Sequence, residues 1–94
     1  MAGMRPNRTR VRAVLNAYAP AADGYGGELD LQVLRNDSAS ADEDFLKPKV
    51  GSSIKAFAHE QPVIEPGQTV DIELTVLGGP RGERTVVQAI TAVP

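Results

Sequence analysis

The residues of this chain best suited to binding are aromatic side chains that alternate with basic ones. Lys55, Phe57 and His59 occupy alternate positions of a segment with strand character, so all three would share one face of a sheet. Bases and tyrosines elsewhere would border that face. The candidate binding residues are Arg10, Arg12, Tyr18, Tyr25, Lys55, Phe57, His59, Arg81 and Arg84. Aromatic rings that stack on nucleobases, beside cationic side chains that contact phosphates, are typical of a surface that binds single-stranded nucleic acid.

Other features of the same face favour a protein partner. Glu28 and Asp30 would lie on the same side and repel a phosphate backbone, and the chain has two Tyr, two Phe and no Trp. Tyr18 and Phe57 could equally be core or interface residues. An outward apolar patch is also predicted, and patches of this kind tend to be protein contact sites. Its members would be Val14, Leu34 and Phe57.

No arrangement typical of catalysis is visible in the sequence. The single histidine, His59, stands next to Glu60 on a predicted strand, with no third group to orient it. The acidic run at residues 42–44 has the character of a solvated surface, whereas general acid–base chemistry needs a shielded carboxyl group. We therefore predict that the protein is not an enzyme.

Two loops have a superficial similarity to ligand-binding motifs. Oxygen-bearing side chains alternate in the order Asp37, Ser38, Ser40, Asp42 and Asp44, but a calcium loop also needs a central Gly and a final Glu. The glycine-rich segment 78–84 lacks the Gly-Lys-Ser/Thr ending of a phosphate-binding loop and a following helix. The sequence therefore predicts no metal and no cofactor, and the glycines are typical of a hairpin loop.

Length and composition limit the remaining possibilities. The 94 residues are enough for one domain. Because there is no cysteine, packing and sheet hydrogen bonds must stabilise the fold, and no apolar stretch approaches the roughly 20 residues of a membrane span. Residues 1–6 lack the apolar core of a secretory signal. These features predict a cytoplasmic protein with no membrane partner.

The charge is small in total but uneven along the chain. The formal net charge is -2, and the bases that precede the first acid, Asp23, are Arg5, Arg8, Arg10 and Arg12. Residues 1–7 show no periodicity and are predicted to be a flexible segment, followed by a single domain at residues 8–94. The basic start could aid solubility, or it could dock on a phosphate backbone or an acidic partner. Either Met1 or Met4 could be the natural start.

The rest of the chain has the alternating pattern of five β-strands. They are predicted at residues 9–18, 28–35, 53–59, 69–76 and 85–90. In the first strand, Ala17 would continue the inward face and Tyr18 the outward face. Residues 20–27 are typical of a hairpin loop, and residues 65–68, Glu-Pro-Gly-Gln, fit a type II turn. Residues 36–51 have no strand pattern, and a short helix capped by Ser40 and held by Phe45 and Leu46 is one option there.

Five strands with so little helix favour a closed barrel or a small sandwich. A long first strand, a turn-rich loop after it and a glycine-rich loop between strands four and five resemble the oligonucleotide/oligosaccharide-binding (OB) fold, over about residues 8–93. The OB resemblance implies ligand contacts on the barrel face and at the strand 4–5 loop, which contains Arg81 and borders Arg84. The chain departs from that family because only residues 61–67 separate strands three and four, where the family has a helix. An SH3-like barrel therefore stays open.

These observations predict an all-β domain, a five-stranded OB-like barrel with one short helix before strand three as an option. We expect it to be a non-catalytic interaction module that binds a protein partner or associates with itself. The alternative is single-stranded nucleic-acid binding through the barrel face and the strand 4–5 loop.

Overall fold

The computed structural model of the protein describes residues 7–60, 63–78 and 82–94. Five strands make up most of this part: β1 (Thr9–Pro20), β2 (Gly27–Asn36), β3 (Ser53–Ala58), β4 (Thr69–Leu77) and β5 (Arg84–Ala92). Each strand end lies within two residues of its predicted position. Among the described residues, none forms a helix of the length and apolar character needed to cross a membrane.

The strands form a closed barrel in the order β1-β2-β3-β5-β4, with β4 paired back to β1. Neighbouring strands are antiparallel except β3 and β5, which run parallel. The first half of β1 pairs with β4, and most of its length pairs with β2, so this one long strand joins two walls of the barrel. The predicted all-β, five-stranded barrel is confirmed, and its strand order is compatible with an OB-like fold.

Aliphatic side chains from alternate strand positions fill the barrel. The buried cluster consists of Val11, Ala13, Leu15, Leu29, Leu31, Val33, Ala56, Ala58, Val70, Ile72 and Leu74. These are inward positions predicted from the alternation of β1 to β4. Val87 and Ile90 of β5 pack against the same cluster while remaining partly exposed. Burial of this continuous aliphatic core is the main source of stability in a chain without disulfides.

A β-bulge at Asn16 reverses the predicted orientation of the end of β1. Leu15 pairs with Leu31 and Ala17 pairs with Asp30, so Asn16 is an extra residue with no partner on β2. One extra residue moves every later side chain to the opposite face. The prediction that Ala17 points inward and Tyr18 outward was therefore wrong: Ala17 is exposed, and Tyr18 packs against the core.

A second bulge, on β2, separates the residues of the predicted apolar patch. Arg12 pairs with Arg35 and Ala13 with Val33, which leaves Leu34 as the extra, exposed residue near the end of β2. Phe57 lies opposite Glu28 at the start of β2, about 20 Å away at the rise of an extended strand. A single patch containing Leu34 and Phe57 is therefore excluded.

Both predicted turns are present. Residues 21–26 connect β1 and β2 as a hairpin, with Gly24 and Gly26 at positive φ. In the turn after residue 64, the N–H of Gln68 donates to the carbonyl of Glu65, and Gly67 has a φ of 98°. That combination is the geometry of a type II turn, in which the third residue must adopt positive φ.

The connection from β2 to β3 contains turns but no helix. The N–H groups of Glu43 and Asp44 both donate to the carbonyl of Ser40, which makes a single turn. The chain then leaves the helical path because the Asp44 side chain points into the end of the barrel, where it is only 4% exposed. The optional helix at residues 40–46 is therefore absent.

Asp44 closes one end of the barrel. Its carboxylate accepts hydrogen bonds from the Thr9 hydroxyl (2.8 Å), the Asn36 side-chain amide (2.7 Å) and the Lys47 N–H (2.8 Å). Burial acts to raise the pKa of Asp44, but the hydrogen bonds from Asn36, Lys47 and Thr9 outweigh burial and hold it below its usual range. The prediction that residues 42–44 form a uniformly solvated run was therefore wrong for Asp44.

The chain before β1 also joins the barrel. Asn7, the last residue of the predicted flexible segment, is 9% exposed, and the rest of that segment lies outside the described residues. The Asn7 side chain donates to the carbonyl of Val76 (2.8 Å) and accepts from its N–H (2.7 Å). This side chain therefore extends the ladder between β1 and β4 by one further pair.

Candidate interaction surface

Three of the predicted binding residues form a compact cluster on the outer face of β3 and β5, here called the aromatic cluster: Phe57, His59 and Arg84. The rings of Phe57 and His59 meet edge to face, with centroids 5.1 Å apart at 86°. The Arg84 guanidinium carbon lies 4.0 Å from the centre of the Phe57 ring. This is cation–π geometry, and it means that Arg84 already covers one face of the Phe57 ring.

The strand register explains why the aromatic cluster forms. Phe57 lies on the outer face of β3, and His59 follows directly after the strand, where its ring meets that of Phe57. Val86 pairs with Phe57 on one side and with Thr75 of β4 on the other, so its side chain also lies on the outer face. It is nonetheless buried. The aromatic cluster and Val86 together therefore form a small layer on the outside of the barrel, where β3 and β5 meet.

The charges beside the aromatic cluster are mixed. Lys55 pairs across the strands with Asp30, and its ammonium group lies 3.9 Å from a carboxylate oxygen of Glu28. Both members of that ion pair are more than half exposed, so water screens it strongly. Two cations, Arg84 and Lys55, thus face two carboxylates, which gives this face no strong attraction for a polyanion.

Arg10 and Arg12 lie on a different wall of the barrel. They belong to the half of β1 that pairs with β4, and β1 is not a neighbour of β3 or β5. They line a shallow groove of about 310 Å³ together with Arg35, Asp37, Asp71 and Glu73. The predicted single binding face is therefore two separate surfaces.

In that groove the arginines are bound by carboxylates. Arg12 donates to both oxygens of Asp71 (2.9 and 3.1 Å), and Arg35 donates in the same way to Asp37 (2.6 and 3.1 Å). The hydrogen bond from Arg12 lowers the pKa of Asp71 and correspondingly raises the pKa of Arg12. Arg10 contacts Glu73 at 3.4 Å. Arg10 and Arg12 pair with carboxylates of β4, Arg35 pairs with Asp37 next to its own strand, and each would have to leave its partner to bind phosphate.

The remaining predicted binding residues are Tyr18, Tyr25 and Arg81. Tyr18 covers Gly27 at the end of the barrel, where a Cβ added to Gly27 would come within 2.8 Å of the tyrosine ring. Tyr25 is 79% exposed at the β1–β2 hairpin, and its N–H donates to the Asp23 side chain. Arg81 lies outside the described residues. Tyr25 is thus the more exposed of the two tyrosines, since Tyr18 is partly buried.

The structure also contains a feature that was not predicted, the β3–β5 seam. In the described part of the chain these strands share one residue pair, Phe57 with Val86, and then diverge. A groove of about 510 Å³ lies along the divergence, with Ala58, His59, Glu60 and Val63 on one side and residues 87–90 of β5 on the other. A signal for it exists in the sequence: residues 85–94 carry no charge at all.

The acidic and histidine side chains do not form a metal site in the described residues, since no three of them converge. Three members of the calcium-like series are engaged within the protein: Asp37 with Arg35, Ser38 with the N–H of Arg10, and Asp44 with the barrel end. In comparisons with known proteins, no family model, no curated sequence and no solved structure matches the chain. Inferences about function therefore rest on its own geometry.

Proposed function

We propose that this protein is a non-catalytic interaction module that binds protein, with its own copies as the first partner. The β3–β5 seam is the observation that carries the proposal. It combines a groove lined by Val87 and Ile90, which are partly exposed and pack against the core, with a fully exposed Val63 at its side. Exposed apolar surface bordered by polar groups is where proteins bind one another.

The absence of a catalytic arrangement in the described residues is consistent with this proposal. His59 contacts the edge of the Phe57 ring, and Asp44 is fully occupied as an acceptor. A nucleophile with a positioned base is needed for covalent catalysis.

We assign the barrel to the OB type on the support of its strand order, its parallel β3–β5 pair and its single long first strand.

Sedimentation velocity over about a hundredfold range of protein concentration tests the proposal, since weak self-association appears only when the concentration approaches the dissociation constant. We expect the weight-average sedimentation coefficient to rise reversibly with concentration. A value that stays at that of the monomer over the whole range contradicts self-association. The same measurement in high salt separates apolar association, which persists, from charge-driven association, which salt weakens.

Single-stranded nucleic-acid binding is the second candidate, and the aromatic cluster favours it. OB barrels bind oligonucleotides on the face of strands two and three and at neighbouring loops, which is where Phe57, Lys55 and Tyr25 lie. Base stacking on an aromatic ring contributes about 1–3 kcal/mol per base. The ion-paired arginines of the β1–β4 wall contribute little to such a site.

Titration of a fluorescent oligothymidine at low salt tests this second candidate. Saturable binding that Phe57→Leu weakens, and that Arg10→Ala leaves nearly unchanged, would establish the aromatic cluster as a nucleic-acid site. Arg10→Ala is the matched control because it removes a cation from the other wall of the barrel. If no saturable signal appears at low salt, where electrostatic binding is strongest, nucleic acid is rejected as the ligand.

A further inference from the structure

The far half of β5 is an open sheet edge. Val93 donates its N–H to the carbonyl of Thr69 on β4 (2.9 Å), and the register of the two strands is regular from Ala89 to Ala92. Backbone groups alternate in direction along a strand. The N–H and C=O groups of Thr91 and Ala89 therefore also point toward β4, whereas those of Ile90 and Ala92 point away from it. In the part of the chain that the structure describes, no strand pairs with that outer side beyond Val86.

This edge carries few of the features that protect edges in natural proteins. Exposed edge strands usually contain charged residues or proline, which prevent pairing with another chain. The other four strands each carry charges within their pairing regions, but the only charged residue of β5 is Arg84 at its start. A bulge at Gln88 protects part of the edge and limits its regular part to residues 89–92.

We propose that β5 pairs with β5 of a second copy of this chain, antiparallel and across a twofold axis, to form the dimer. This inference rests on the proposed self-association and names its surface. An uncharged strand suits such a pair, because an antiparallel pairing across a twofold axis sets residues near the axis opposite their own copies or close neighbours, and like charges would repel there. The donor and acceptor groups of Ile90 and Ala92 in one copy would then bond those of the other. The adjoining groove leaves space for the approaching strand.

A crosslinking experiment locates the interface, because the natural chain has no cysteine. Single-cysteine variants at Gln88, Ala89 and Thr91 place a thiol along β5, and Ala39→Cys on an exposed loop is the matched control. A disulfide requires two Cα atoms within about 7 Å, so only residues close to the twofold axis can form one. We expect one of the β5 variants to crosslink into dimers under mild oxidation much faster than Ala39→Cys.

A backbone variant tests the hydrogen bonding itself. Ala92→Pro removes an N–H that points away from β4, so the barrel keeps its own ladder, while Ala92→Ser keeps the N–H and serves as the control. Both copies of the dimer carry the substitution, so the interface loses two hydrogen bonds. We therefore expect Ala92→Pro to weaken self-association at least about tenfold and Ala92→Ser to leave it nearly unchanged. Urea unfolding of both variants checks that the barrel remains folded.

The possible outcomes separate this inference from the proposed function. Concentration-dependent dimers with fast crosslinking on β5 and loss of association in Ala92→Pro support both. Dimers that crosslink no faster on β5 than at residue 39, and that Ala92→Pro does not weaken, keep the proposed function but overturn the β5 interface. A strictly monomeric wild-type protein overturns both.

Discussion

The Asp44 end of the barrel and the β3–β5 seam differ in how far their polar groups are satisfied. At the Asp44 end, a loop folds inward and one carboxylate accepts from two side chains and a backbone N–H. At the seam, β3 and β5 share one pair among the residues that the structure describes, and a sheet edge and a groove lie open there. Buried polar groups that are fully bonded stabilise a fold, whereas open backbone groups beside apolar surface are available to a partner. The difference places stabilising contacts at the Asp44 end, and the seam is where we propose that a partner binds.

The largest expected effect is at the Asp44 end. Asp44→Ala removes the hydrogen bonds from Asn36 and the Lys47 N–H and leaves the buried Thr9 hydroxyl without this acceptor, which should lower the free energy of unfolding by about 3 kcal/mol. Asp42→Ala, on the exposed part of the same loop, is the matched control and should be nearly neutral. Urea denaturation gives both values. Equal effects of the two substitutions would show that Asp44 is not the residue that closes the barrel.

The β1–β2 hairpin meets β3 close to the seam, and the next largest effect is expected there. Gly24 and Gly26 both have positive φ, so alanine at either position is strained by about 1 kcal/mol. A Cβ on Gly24 would meet open space, but one on Gly26 would collide with the backbone carbonyl of Ala58 at the end of β3. Gly26→Ala should therefore cost about 2 kcal/mol more than Gly24→Ala in thermal or urea unfolding.

A similar cost for the two glycine variants would mean that the end of β3 can move away from the hairpin. In that case the seam would be wider and more adaptable than its geometry indicates, and its groove would be less defined as a binding surface. The pair of variants thus measures how rigidly one end of the seam is held.

Protonation of Asp44 should have a smaller effect than its removal, because the protonated side chain stays in place. The hydrogen bonds that offset burial keep the folded-state pKa of Asp44 below its unfolded value. Its contribution is therefore complete above the unfolded pKa, near 4, and is lost as the pH falls through the lower folded pKa. Urea unfolding of the wild type should show stability falling with acid in that range. Asp44→Asn should show a flatter but not a flat dependence, because the lowered pKa of Asp71 contributes in both proteins.

The strands could be predicted from the sequence because period-two alternation reports directly on which face is buried. The two bulges could not, since nothing at Asn16 or Leu34 differs from an ordinary strand residue. Tyr18 was placed on the wrong face for that reason alone. The sequence does not distinguish the three consecutive acidic residues 42–44 from one another. Asp44 is the buried one because Thr9 and Asn36 lie at the barrel end, where they donate hydrogen bonds to it. The candidate binding residues lie on two separate surfaces, because the pairing of strands that are distant in the sequence decides which side chains are neighbours.

The smallest effect is expected at the aromatic cluster, on the outer face of the seam. The guanidinium of Arg84 over Phe57 should contribute about 0.5–1 kcal/mol, because the pair is partly exposed. A double-mutant cycle with Arg84→Ala and Phe57→Leu isolates this coupling from the other losses, and Arg84→Lys keeps the charge without the planar group. A coupling near zero would mean that the cation does not hold the ring, so that Phe57 is free to turn toward a partner. A coupling of the expected size would mean that any ligand of this ring must first displace Arg84, which favours the open edge of β5 as the primary contact.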